Sequence, residues 1–188
     1  NLDEDDYNII NKSSVSSRKL YIPFSKKFIL LHLDEKWIFN DYIKTYNLIE
    51  PKTEDALINF LEILILHARC DIFISTGNLP NKFTFFLRKH FVKQMTDIYE
   101  FKIFDNKVFF FDNLDFLSLE KLILSSYLLI SCHGAVTHVG ASFNINIIDI
   151  VDKSESLFFD KWTSHFKNYK KLYRVEFHQL SKDIINLL

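Results

Sequence analysis

Residues able to do chemistry crowd into one short segment, Ser131 to Ser142 (SCHGAVTHVGAS). It holds two of the three glycines, one of the two cysteines and two of the seven histidines of the chain. Apolar runs bracket it, Tyr127 to Ile130 before and Ile145 to Val151 after. The pattern predicts a buried strand, a tight small-residue turn, a short helix and a second buried strand. A chain so poor in glycine places Gly134 where backbone bends sharply or approaches something closely, and a positive φ is expected there. The helix opening at Gly134, Ala135, Val136 and Thr137 offers unpaired amides and a positive dipole end, a setting for a phosphate. His133 and His138 flank that turn and read either as imidazoles bonding backbone or as contacts to a diphosphate or sugar. Cys132 reads as a small packing residue. A Cys–His nucleophile pair lacks an orienting third group, and the spacing of Cys132, His133 and His138 fits no zinc pattern, so no metal is expected.

Two further polar turns follow apolar, strand-length runs. Lys27 to Leu33 (KFILLHL) ends at Asp34-Glu35-Lys36-Trp37, and Asp71 to Ser75 (DIFIS) ends at Thr76-Gly77-Asn78. Lys36 is either a surface lysine or a point charge for phosphate. Asp34 and Glu35 are either solvated, bonded to ribose hydroxyls or able to act as a base. Thr76, Gly77 and Asn78 either end the strand or approach a nucleotide.

The remaining elements must bring these turns together. Pro51 and Thr53 open a helix, and Leu57, Phe60, Leu61, Leu64 and Ala68 recur on one face of it. A helix is expected from about Asn81 to Phe91, a strand over Lys107 to Phe111, and a short helix over Leu119 to Ser126 capped by Ser118. After the strand at Asn146 to Val151, Asp160 to Tyr169 reads as helical, with Trp162, His165 and Tyr169 on one core or interface face. Leu172 to Val175 reads as extended. Phe177, Leu180, Ile184 and Leu187 make a last amphipathic helix. Strands alternating with helices predict an α/β, Rossmann-like, mostly parallel sheet with helices on both faces. Ligands bind such sheets outside the carboxyl ends of the strands, so the three turns are expected to converge there.

Composition narrows the classes. The chain has 188 residues, a net charge of −1, 48% hydrophobic and 25% charged residues. That length suits one domain with a real core. The charge balance gives no footprint for nucleic acid. Two cysteines form no disulfide framework, so a reducing, cytoplasmic setting is expected. The longest apolar stretch, Ala56 to Leu66, is broken by Asn59 and Glu62, so no transmembrane segment is expected. Residues 1–25, polar with a Ser-rich SSVSS, read as an arm or linker, and 26–188 as the folded domain. The opening without Met reads as that of a piece of a longer protein.

The stretch Leu128 to Asp149, LLISCHGAVTHVGASFNINIID, resembles the donor-binding half of two-Rossmann-domain (GT-B) glycosyltransferases. Thr137 to Ser142 followed by Ile145 to Ile150 is similar to the heptosyltransferase type, in which an Asp-Thr-Gly turn leads into a Met-His-x-Ala-Ala helix. His133-Gly134-Ala135 is similar to the His-Gly-Ala turn of xylosyl- and N-acetylglucosaminyltransferases. Lys36-Trp37 is similar to the heptosyltransferase Lys-Trp turn, whose lysine approaches the donor phosphates. The Asp of Asp-Thr-Gly is absent here, and the Gly-to-His gap is one residue longer. The resemblance implies a metal-independent transferase that takes a nucleotide-sugar as substrate and needs no cofactor. Lys36, His133 and His138 would serve catalysis. Gly134 to Thr137, Thr76 to Asn78 and Asp34 would hold the donor. It further implies a glycan or lipid-linked, lipopolysaccharide-type acceptor, an acceptor half outside this chain, and a location in the cytoplasm or at the inner face of the membrane. The rival readings are a Rossmann-like scaffold that has lost catalysis and an α/β hydrolase using Cys132.

Overall fold

The computed structural model describes residues 27–37, 50–77, 79, 81–95 and 97–188, with backbone alone for 50–54 and 95. The predicted arm at 1–25 and Asn78 lie outside the described residues. One eight-stranded sheet runs through the molecule in the order β3-β4-β5-β2-β1-β6-β7-β8. Its strands are β1 (Phe28–His32), β2 (Asp71–Ser75), β3 (Val92–Met95), β4 (Ile98–Ile103), β5 (Asn106–Phe111), β6 (Leu128–Cys132), β7 (Asn146–Val151) and β8 (Tyr169–Tyr173). From β5 through β8 every pairing is parallel. Strands β3 and β4 extend the edge beside β5 as antiparallel neighbours.

The helices are α1 (Glu50–Ala68), α2 (Lys82–His90), α3 (Phe116–Ser125), α4 (Ala135–Ser142), α5 (Ser156–Thr163) and α6 (Phe177–Ile185). The central strands are continuous apolar runs because both of their faces are covered. On one face Leu57, Phe60, Leu61 and Leu64 of α1, Phe83 and Leu87 of α2, and Phe177, Leu180 and Ile184 of α6 pack over Ile29, Leu31, Ile72, Ile74, Ile130 and Ile148. On the other, Leu122 and Ile123 of α3 and Val139 of α4 cover a phenylalanine layer. In that layer Phe73 meets Phe28, Phe109 and Phe111 at ring-centroid distances of 4.0, 5.4 and 5.3 Å. Such offset and tilted aromatic pairs add to what their burial contributes.

Several elements differ from the sequence expectation. Strand β3 is largely exposed and β4 mostly half-buried, both of mixed polarity, and β4 turns into β5 at Phe104 (φ 55°) without glycine, so neither a hydrophobic period nor a turn residue marks them. Helix α3 is capped by Asp115, whose carboxylate accepts from the Ser118 amide at 2.7 Å; Ser118 lies inside the helix. The helix expected over Asp160 to Tyr169 starts and ends earlier, and Tyr169 begins β8 instead. The face proposed for Trp162, His165 and Tyr169 is therefore not formed, and Trp162 is exposed. Among the described residues no helix is long and apolar enough to cross a membrane.

Helix α4 lies close on the sheet because Gly140 has no side chain. A Cβ there would fall 2.9 Å from Leu129 Cδ2 and 3.3 Å from Ile147 Cδ1. Both neighbours are buried strand residues. Gly140→Val is expected to lower stability by about 1–3 kcal/mol through overpacking, read as a smaller urea midpoint. An unchanged midpoint would contradict this packing.

Candidate functional site

Adjacent parallel strands β2, β1 and β6 end side by side, and the turns that follow them touch. A Cβ on Gly77, after β2, would fall 2.9 Å from Glu35 Oε2 and 3.3 Å from Asp34 Cβ, after β1. A Cβ on Gly134, after β6, would fall 2.8 Å from Lys36 Nζ and 2.9 Å from Lys36 Cε. Lys36 and His133 thus share one end of the sheet.

Each turn is held from below. Trp37 is fully buried and donates its indole N–H to the His32 carbonyl at 2.7 Å, beside Phe177. Asn81, the N-cap of α2, donates Nδ2–H to the Leu33 carbonyl at 3.0 Å. These two anchors fix a short 3-10 turn, Glu35–Trp37, which carries Lys36 over Gly134. The Lys36 ammonium is bonded to the Asp34 carboxylate, and the Lys36 amide donates to Asp34 Oδ1 at 3.1 Å. Asp34 is buried, and burial raises its carboxyl above the ordinary value even though Lys36 pulls the other way. Deeper still, His32 Nδ1 shares a 2.9 Å hydrogen bond with Ser75 Oγ. Burial, then the Lys36 charge, depress the His32 imidazole from 6.5 to about 4.

Around β6 the structure assembles a second network. Asp149, in mid-strand β7, is wholly buried beside Ser131 in the parallel register. Its Oδ2 pairs with His133 Nδ1 at 2.6 Å and accepts from Tyr169 OH at 2.8 Å, and its Oδ1 accepts from Thr137 Oγ1 at 3.3 Å. Thr137 Oγ1 also accepts from the Gly134 amide at 3.3 Å and lies 3.1 Å from Ser131 Oγ. The His133 ring packs on Phe159 at 4.4 Å and edge-on to His138 at 5.3 Å between centroids. His138 sits half-buried against Phe166, and burial, then His133, lower its pKa. Burial likewise pushes the Tyr169 phenol up, with the Asp149 charge adding to it.

The site residues expected from sequence fall as follows. Lys36, His133, Gly134, Asp34 and Gly77 come together, and Thr76, next to Gly77 in the chain, is buried. His138 is one helical turn behind, beside His133. Asn78 lies outside the described residues. Gly134 has φ 171°, extended backbone, so the expected positive φ is absent; the glycine is needed for the close approach of Lys36. Thr137 is fully buried and its amide donates to the Gly134 carbonyl at 3.0 Å, so it braces the turn and the open amides of α4 are those of Ala135 and Val136. Cys132 is buried, and burial raises its thiol far above the ordinary value, which removes the thiolate a hydrolase would need. Among the described residues no three His, Cys, Asp or Glu side chains gather as metal ligands. From sequence, Trp37 is named only as part of the Asp34-to-Trp37 turn, and Asn81, Asp149 and Tyr169 are given no site role. The signals for two of them are a bulky aromatic after Lys36 and a lone carboxylate in the apolar run Ile147 to Val151.

Fold and site together define a Rossmann-like α/β domain in which polar, lysine-bearing turns meet at the carboxyl edge of its parallel strands. No protein-family model matches the sequence, and no curated protein matches it. Among solved structures, the NMR solution structure of ALG13 is similar, with a TM-score of 0.53 and 14% identity over 85% of this chain and 84% of that one. At that identity the likeness is one of fold.

The buried imidazoles give the site a pH signature. His32 folds with a pKa below its unfolded value, so its contribution is full above 6.5 and is lost as pH falls toward about 4. His138 acts in the same direction. Asp34, raised on folding, opposes them at the acid end. Stability is expected to fall by up to roughly 1 kcal/mol per pH unit below about pH 6.5. The fall should flatten in His32→Gln. Urea unfolding across that range checks it, and equal slopes in parent and variant would contradict the assignment.

Proposed function

We propose that this chain is the donor-binding half of a GT-B-type glycosyltransferase and binds a nucleotide-sugar at the carboxyl edge of β2, β1 and β6. The observation that carries the reading is the meeting of Lys36, Gly134 and the first turn of α4 at one point. A diphosphate suits that point, because the open amides of Ala135 and Val136 and the lysine ammonium supply fixed positive charge. The fold likeness to ALG13 and the resemblance of the Leu128 to Asp149 segment agree with it.

In this reading Lys36 exchanges its bond with Asp34 for one with the donor phosphates, and Asp34 keeps the ammonium placed until the donor arrives. His133 and His138 border the sugar or diphosphate. Charge developing on the leaving diphosphate is taken up by Lys36 and the α4 amides, with no metal required. Thr76 and Gly77 approach the nucleotide. The acceptor, a glycan or lipid-linked hydroxyl, is held by a second half that also supplies the general base. The pairing of Lys36 with Asp34 favours one alternative, a scaffold that keeps the shape and binds no donor.

Isothermal titration with UDP-, GDP- and ADP-sugars distinguishes the two. The 188 residues alone are expected to bind one of them without appreciable transfer, since a GT-B enzyme needs both lobes around donor and acceptor. His138→Ala should weaken that binding by about 1–2 kcal/mol. Gly134→Val should displace Lys36 and weaken it while leaving the melting temperature largely unchanged. Silence toward every donor would establish the scaffold reading, and robust turnover by this chain would refute the placement of the acceptor site elsewhere.

A further inference from the structure

Asp149 is the least expected residue of the chain's second half: a carboxylate in the apolar strand Asn146–Val151 with no exposed surface. A buried carboxylate is tolerated only when hydrogen bonds replace its water. Here three side chains do so, His133 and Tyr169 at Oδ2 and Thr137 at Oδ1. His133 follows the end of β6 and Thr137 lies in the first turn of α4, both at the proposed donor site, while Tyr169 reaches Asp149 from the start of β8, at the opposite end of the parallel strands.

An ionised carboxylate only accepts hydrogen bonds, so at 2.6 Å the proton between it and His133 belongs on Nδ1. That fixes the other ring nitrogen. Nε2, at the far end of the ring, makes no hydrogen bond among the described residues, and His133 keeps 12% of its side chain exposed, between Phe159 and His138. Packing on those two rings sets the ring plane, and Asp149 sets which nitrogen faces out.

We infer that Asp149 is a positioning residue: it holds His133 with the proton on Nδ1 and so presents Nε2 to the ligand in the cleft. In the neutral ring Nε2 accepts a hydroxyl of the sugar; in the charged ring it donates to a phosphate oxygen. Asp149 itself touches no ligand. The chain thereby sets the hydrogen-bonding sense of His133 from beneath the sheet edge, through a residue outside the turn that carries the histidine. The assignment of Nε2 to a ligand rests on the donor-binding reading; the tautomer does not.

Two-bond 15N–1H correlation spectra of the full chain at about pH 8, above the ordinary histidine value, read the tautomer directly. The expected result is a proton on Nδ1 of His133 in the parent and a shift of the proton to Nε2 in Asp149→Asn, whose amide can donate to Nδ1. A parent with the proton on Nε2 alone overturns the proposal without any variant, so it stays testable if Asp149→Asn fails to fold. In a folded Asp149→Asn, affinity for the nucleotide-sugar that the parent binds should drop roughly tenfold or more. Undiminished affinity with a switched tautomer would overturn the role in binding. A parent that binds no nucleotide-sugar but carries its proton on Nδ1 supports the positioning role and refutes the donor reading, so the two failures are distinguishable.

Discussion

The close approach of Lys36 to Gly134 is the contact on which the rest of the site turns. It uses a residue without Cβ after β6, since a Cβ there would push the flexible end of the lysine, Cε and Nζ, aside. It also requires that β1 and β6 be hydrogen-bonded neighbours, so that the turns after them leave the sheet side by side. Trp37 meets a third requirement by burying its indole and holding the Glu35–Trp37 turn down on the sheet. Each of these favours the ammonium's place before the first turn of α4. The sheet order, the aromatic anchor and the glycine thus serve one placement of charge.

Beneath that charge lie two buried titratable networks with different tasks. Asp34 and His32 sit below the lysine; burial pushes the acid up and the imidazole down, and both shifts lessen the charge held in the interior. Asp149 works on the other side of the turn, joining β6, β7, β8 and α4 through Ser131, Tyr169, Thr137 and His133. A polar network of this kind specifies one arrangement of its members because each lost bond leaves a buried group unsatisfied. The two networks hold the turns rigid without occupying the open amides of Ala135 and Val136.

The sequence discloses the centre of the molecule better than its edges. Strands β1, β2, β5, β6 and β7 are short apolar runs ended by polar turns, and the alternation with helices reads directly as a parallel sheet. The edge hairpin β3–β4 escapes, because edge strands are half-exposed and carry mixed residues. The helix expected to reach Tyr169 fails for a different reason. Aromatic spacing suggests one face, yet Tyr169 is drawn into β8, where its hydroxyl meets Asp149. At the site, glycine scarcity marks Gly134 as a place of sharp bend or close approach; the structure shows the close approach, of Lys36, without the positive φ expected with it. Contacts such as Lys36 over Gly134, or Asp149 under His133, join residues distant in sequence and follow only from the sheet order. Thr137 shows the converse: a hydroxyl in a promising turn that points inward and serves the scaffold.

The central claim is that the cleft beside Lys36, Gly134 and α4 receives the diphosphate of a nucleotide-sugar. A crystal structure of the chain grown with a nucleoside diphosphate tests it most directly. The account predicts phosphate oxygens within hydrogen-bond distance of Lys36 Nζ and of the Ala135 and Val136 amides, with the Lys36–Asp34 bond broken. A diphosphate bound elsewhere, or a cleft in which Lys36 remains on Asp34 with the nucleotide in contact with neither, would contradict it.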